Sequence, residues 1–172
     1  MKNKNKNILI KISYSSLFGA LIFVITYFIA IPYPLGLGYF NLSDGIILFI
    51  SIYFDPIIGI ASGIIGTSLA DLIGGYASSI PFTIIAKGLE ALIGYLLYSK
   101  INNKYLKNTI YYFSTWIMVI IYFIYYLIIY DFNINSSLYS SLFDLLQGLI
   151  GYIVSLILII IFKKFKIIRK EK

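Results

Sequence analysis

Runs of about twenty apolar residues recur along this chain with almost no charge inside them, and no other feature limits its fold so strongly. A hydrocarbon core ~30 Å thick is crossed by about 20 residues rising ~1.5 Å each. The runs predict helices at about 8–31, 42–54, 57–73, 80–98, 109–130 and 138–162, the second of them short for a full crossing. Between the first two lies Pro32-Tyr33-Pro34-Leu35-Gly36-Leu37-Gly38-Tyr39-Phe40-Asn41, too rich in proline and glycine to continue a helix. Asp55-Pro56 breaks the second run from the third, Gly74-Gly75 ends the third, and Pro81 suits the first turn of the fourth. The stretches Ser99 to Asn108 and Asp131 to Ser137 are read as loops. A Lys-rich start before an apolar run also opens signal peptides, but this run is too long for one and more spans follow, so it is read as a retained helix. The expectation is an all-α integral membrane protein, one six-helix domain over residues 1–172.

Composition agrees and excludes much chemistry. Charged residues make up 12% of the chain, about half the ~25% of a soluble domain. Without cysteine or histidine there is no disulfide, thiolate, imidazole ligand or imidazole base, so neither a metal site nor a histidine-dependent catalytic triad is expected. No Walker A sequence, paired-aspartate Gly-x-Gly-Asp element, phosphoalcohol-transferase signature, EF-hand, dinucleotide fingerprint or nucleic-acid module occurs. An enzyme, a bound cofactor and a nucleic-acid partner are therefore not expected.

The net charge of +7 is a matter of topology. Alternating loops place Lys2, Lys4, Lys6, Lys11, Lys100, Lys104, Lys107, Lys163, Lys164, Lys166, Arg169, Lys170 and Lys172 on one side. The opposite loops carry no Lys or Arg at all. By the positive-inside rule both termini face the cytoplasm. The basic tail could also meet anionic lipid, although topology accounts for it without that.

The remaining cation is Lys87, seven residues into the fourth helix. A charge at membrane depth costs at least ~2.5 kcal/mol on insertion scales and so needs a partner or a polar cavity. Asp44 starts the second helix, Asp71 lies within a turn of the outer end of the third, Glu90 is one turn below Lys87 on the same face, and Asp144 with Gln147 lies in the outer half of the sixth. Lys87, Glu90, Asp144 and Gln147 fall roughly 8–15 Å below the outer boundary. An ion pair of Lys87 with Glu90 or Asp71 that only holds helices together would explain single residues. It explains the layer less well, since one ammonium cannot balance four carboxylates. A cavity open to the outside, with Tyr39 and Asn41 in its lid, does so more simply. Tyr122 and Tyr126 share a helix face and could stack on a ring, with interfacial anchoring as the default reading.

Close helix packing in lipid uses small residues at four-residue spacing. Gly59-xxx-Gly63 and Ser62-xxx-Gly66-xxx-Ala70 mark the third helix, and Ser16-xxx-Ala20 the first. In the sixth, Asp144, Gln147, Gly148, Gly151 and Ser155 share one face that should turn inward.

Four segments carry a family resemblance: Gly38-Tyr39-Phe40-Asn41-Leu42-Ser43-Asp44, Asp55-Pro56-Ile57-Ile58-Gly59, Ser68-Leu69-Ala70-Asp71-Leu72-Ile73-Gly74-Gly75-Tyr76, and Pro81-Phe82-Thr83-Ile84-Ile85-Ala86-Lys87-Gly88-Leu89-Glu90. With the size and six helices, they resemble the substrate-binding S components of energy-coupling factor (ECF) vitamin transporters, in the riboflavin-type group. The nearest members are those associated with pyridoxine or hydroxymethylpyrimidine. The resemblance implies capture of a small aromatic vitamin or precursor, pyridoxine, hydroxymethylpyrimidine or riboflavin-like, and the polar layer makes Asn41, Asp71, Lys87, Glu90, Asp144 and Gln147 the candidate binding residues. It also implies a transmembrane T component and two cytoplasmic ATPases as partners. The family's Ala-xxx-Ala contact motif in the first helix falls on Ser16-xxx-Ala20, where serine keeps the small volume. At Asp144, similar proteins often carry a neutral amide. Two other classes stay open: a stand-alone proton- or cation-coupled carrier in which Asp71, Glu90 and Asp144 titrate, and a non-transporting assembly protein.

Overall fold

The computed structural model describes residues 2–34 and 38–165. Leu35, Gly36 and Leu37 of the first loop lie outside the described residues, as do Lys166, Arg169, Lys170 and Lys172 of the tail. The elements run α1 (Lys2–Phe28), β1 (Ile31–Pro32), β2 (Tyr39–Phe40), α2 (Ser43–Tyr53), α3 (Pro56–Gly74), a short 3₁₀ turn (Ala77–Ser79), α4 (Ile80–Lys100), α5 (Lys104–Ile110), α6 (Phe113–Ile129) and α7 (Ile134–Lys164). Five segments are long and apolar enough to cross a membrane: 5–28, 56–74, 77–100, 105–129 and 134–164.

The distribution of polarity is that of a membrane protein. Along α7, Leu138, Leu142, Leu146, Leu149, Ile153 and Ile157 point outward, while Ser141, Asp144, Gln147, Gly148, Gly151 and Ser155 are buried. A helix in water would show the reverse. The shared inward face read from the sequence of this helix is therefore the one that packs.

The bundle follows from who touches whom. α3, α4, α6 and α7 pack in that order, α1 lies along α3, and α2 sits against α3, α4 and α7. That position explains how an 11-residue helix fits here. Eight of its residues, Ser43 to Gly45 and Ile47 to Ser51, are buried, so neighbouring helices rather than lipid surround it. Backbone irregularity at membrane depth is tolerated in just such surroundings. Small residues set the approach. A Cβ on Gly45 of α2 would lie 2.8 Å from the Gly151 carbonyl of α7, and one on Gly66 of α3 would lie 2.6 Å from the Gly19 carbonyl of α1. Glycine is required at both crossings.

The structure departs from the sequence reading in several places: α1 already starts at Lys2, and α7 starts at Ile134, inside the stretch Asp131 to Ser137 read as a loop. α1 ends at Phe28, and the following loop folds back as a two-residue ladder pairing Ile31 with Phe40 and Pro32 with Tyr39. The stretch read as a polar loop before residue 109 contains helix α5, capped by Asn103, whose side chain accepts from the backbone N–H groups of Tyr105 and Leu106. The fifth span is broken at Tyr111-Tyr112. There the Tyr152 hydroxyl donates to the Asn108 carbonyl at 2.7 Å, and the completely buried Tyr111 accepts from Ser155 Oγ at 3.1 Å.

Contacts also sort the two ends of the bundle. Lys11 pairs with Asp55 at 2.8 Å, the Tyr53 hydroxyl donates to the Phe162 carbonyl at 3.3 Å, and Lys163 meets Tyr98. The start of α1, the α2–α3 turn, and the ends of α4 and α7 thus lie together. Loop residues 29–34, 38–42, 75–79 and 130–133 lie at the other end, and the loops there carry no Lys or Arg.

Candidate functional site

The site is built at the end whose loops carry no Lys or Arg, where α2, α3, α4, α6 and α7 all contribute. Its floor is an ionic knot. Asp44, in the first turn of α2 where the helix dipole favours a carboxylate, meets the ammonium of Lys87 from α4. Gln147 of α7 donates from Nε2 to the other Asp44 oxygen at 2.7 Å. Its Oε1 accepts from the backbone N–H of Asn41 at 3.0 Å, tying the loop to α7. Asn41 Oδ1 in turn accepts from Ser43 N at 3.0 Å, which turns the chain into α2. Glu90 lies 3.8 Å from Lys87 on the side away from the cavity. Both its oxygens are buried without a hydrogen bond.

Above this floor stand two more carboxylates, each held by a phenol from the loop. Tyr39 donates to Asp71 Oδ1 at 2.5 Å, and Thr83 Oγ1 donates to Asp71 Oδ2 at 2.6 Å. Tyr33 donates to Asp144 Oδ1 at 2.8 Å, with the Tyr126 hydroxyl at 3.4 Å from the same oxygen. Burial pushes the Tyr33 and Tyr39 phenols well above the usual tyrosine range, and the neighbouring Asp144 and Asp71 push them further. Both therefore remain protonated donors at any ordinary pH. Asp144 Oδ2 has no partner.

Between these groups lies a cavity of about 420 Å³, its open mouth included. Tyrosines 122, 125 and 126 of α6, Thr67 and Asp71 of α3, Thr83 and Lys87 of α4, Asp144 and Gln147 of α7, and Asn41 of the loop all line it. Gly38 lies at the rim, where a Cβ would come 2.9 Å from both the Tyr126 hydroxyl and the Tyr33 ring. Glycine is what lets the loop lie this close. Among the described residues, no three acidic side chains converge where a metal ion could be held.

Five of the residues singled out from sequence, Asn41, Asp71, Lys87, Asp144 and Gln147, line this one cavity. Glu90 does not: it sits beneath, as the second counter-charge of Lys87. The direct partner of Lys87 is Asp44, not Glu90 or Asp71 as a simple stabilising pair would have it. Tyr122 and Tyr126 do not serve as interfacial anchors, because their hydroxyls meet Thr83 and Asp144 inside the bundle. Sequence reasoning missed Thr67 and Thr83. A signal existed, since each lies one turn before a charged cavity residue, Asp71 and Lys87. Ser16 and Ala20 lie on the exposed face of α1, while Ser15 and Gly19 are buried.

Fold and site together define a multi-pass helical membrane protein with a polar, tyrosine-walled cavity at one end of its bundle. Residues 6–164 match the model of the ECF-type riboflavin transporter S component, and the chain belongs to that family. This is a family of transporter subunits and not of enzymes. A solved structure described as the S component of a bacterial ECF transporter shares the fold with a TM-score of 0.69 at 21% identity, covering 96% of this chain and 97% of that one. Over 70 residues the chain is 40% identical to an uncharacterized protein in the gap 3′ region of Pyrococcus woesei. The match takes 41% of this chain and 47% of that protein, so the chain spans about half the length of this curated relative.

Proposed function

We propose that this protein is the substrate-capture subunit of an ATP-driven ECF importer and that its cavity opens to the outside. In this reading it binds a small aromatic vitamin or precursor: pyridoxine, a hydroxymethylpyrimidine or a riboflavin-like molecule. The observation that carries the reading is the convergence of Asn41, Asp71, Lys87, Asp144 and Gln147 on one cavity at the end of the bundle whose loops carry no Lys or Arg. With the lysine-bearing end in the cytoplasm, both termini are cytoplasmic and the cavity faces outward. Tyrosine faces suit a ring, and the carboxylates and Gln147 suit its hydroxyl and amino donors. Glu90 acts from behind, holding Lys87.

The driving machinery is supplied by partners, a transmembrane T component and two cytoplasmic ATPases. The face of α1 bearing Ser16 and Ala20 is their docking stripe, exposed on a helix that packs mainly along α3. The test is mass spectrometry of small molecules that co-purify with the protein, followed by binding in detergent. A tight complex without any gradient supports a capture subunit. Uptake that collapses with an ionophore and needs no ATPase partner would instead mark a stand-alone carrier.

A further inference from the structure

We infer that the molecule captured in this cavity carries a positive charge beside its ring, as a protonated amine or an amino-substituted ring cation, with Asp144 as its counter-ion. The inference rests on the cavity being the capture site. It begins with what Lys87 is already doing. Its ammonium meets Asp44, and Glu90 stands 3.8 Å away, so two carboxylates already compete for the one buried cation. Asp71 and Asp144 feel the same ammonium only from beyond ion-pair distance. Among the described residues neither of these has a basic group within ion-pair distance; their partners are the hydroxyls of Tyr39, Thr83, Tyr33 and Tyr126.

Asp144 Oδ2 is the point of entry. The side chain lines the cavity, the residue is 3% exposed, and this oxygen has no hydrogen-bond partner. A buried charge is normally paired, and one left open toward a cavity is completed by what the cavity holds. A hydroxyl would fill the hydrogen bond but leave the charge, whereas an ammonium or amidinium-like N–H fills both. The wall agrees. Three tyrosine rings of α6 face the same space, and ring faces attract cations. The Lys87 ammonium already lies 5.7 Å from the centroid of Tyr122. A ligand bearing a carboxylate or phosphate meets the opposite situation, since the sole arginine of the chain is Arg169 in the tail and Lys87 is occupied.

The experiment uses the full chain in detergent at neutral pH and two matched pairs of probes, each exchanging one hydroxyl for an ammonium. They are pyridoxine against pyridoxamine, and 4-amino-5-hydroxymethyl-2-methylpyrimidine against its 5-aminomethyl analogue. Riboflavin and 4-pyridoxate complete the panel, with affinities read by calorimetry. In at least one pair the ammonium member should bind at least ~10-fold more tightly, as expected for a charge-assisted hydrogen bond, and 4-pyridoxate should bind at least ~10-fold more weakly. Asp144→Asn should shrink that preference to less than about 3-fold, whatever it does to the affinity of the neutral member. The wild-type ratio decides the matter alone should the variant not fold. Equal or tighter binding of the hydroxyl members, of riboflavin or of 4-pyridoxate overturns the charge assignment and leaves the capture of a ring vitamin standing. An undiminished ammonium preference in folded Asp144→Asn overturns the role of Asp144. Failure of the whole panel, riboflavin included, overturns the capture reading and this inference with it.

Discussion

Removing the charges around Lys87 one at a time should reveal that two carboxylates share one cation. Asp44 and Lys87 are in direct contact, and Glu90 waits 3.8 Å from the same nitrogen without a hydrogen bond of its own. Asp44→Asn keeps the shape of the side chain and deletes its charge. Lys87 then needs to move only about an ångström to reach hydrogen-bond distance of Glu90. The cost should be that of one weakened hydrogen bond plus imperfect pairing with Gln147, about 1–3 kcal/mol. Glu90→Gln deletes the distant counter-charge while Asp44 stays in place, and should cost ~1 kcal/mol or less, since no hydrogen bond is lost. The double variant leaves the ammonium buried with neither carboxylate beside it. That is the situation measured at ~3–5 kcal/mol for a broken buried pair. The two losses should therefore combine to more than their sum, with a coupling of ~1–2 kcal/mol. The assay is helical circular dichroism during unfolding of the ligand-free protein in mixed detergent and SDS micelles, with the double-mutant cycle closed by the wild type. Strict additivity of the two single losses would refute the shared-cation account and leave Asp44 as the sole counter-ion.

Other consequences are simpler to read. Single cysteines at Ser78 and Asn133 should react with an impermeant thiol reagent in intact cells and one at Asn103 only after lysis; labelling of Asn103 in intact cells would invert the proposed topology. Ala20→Trp or Ser16→Leu should abolish uptake yet leave ligand binding to the isolated protein unchanged within about 2-fold, because both residues face away from the bundle; equal loss of both activities would show that this stripe packs internally. Gln147→Ala removes the group that joins Asn41 to Asp44 and should weaken binding of the co-purified ligand by roughly five- to 150-fold. A folded Gln147→Ala protein with unchanged affinity would place the binding site elsewhere.

The span pattern was legible because lipid imposes a length and an inside-out polarity that apolar runs display directly. What escaped depends on single long-range contacts. At the break by Tyr111, the Asn108 carbonyl accepts from Tyr152 and the Tyr111 hydroxyl from Ser155, contacts that no local propensity marks. α5 was hidden by its own polarity, since Lys104, Lys107 and Asn108 interrupt any apolar run. Within the site, the depth of each charge was readable from helical rise, and it brought out Asn41, Asp71, Lys87, Asp144 and Gln147. Depth alone does not say which way a side chain turns. Glu90 shares a helix face with Lys87, yet lies below the cavity. Asp44, 43 residues distant in sequence from Lys87, is the group it touches. The same gap explains the tyrosines of α6, where an aromatic at a helix end reads as a membrane anchor until a carboxylate on a neighbouring helix is seen to need its hydroxyl. Asp144 is that carboxylate for Tyr126, and its second oxygen, still without a partner, is where the chemistry of the ligand enters.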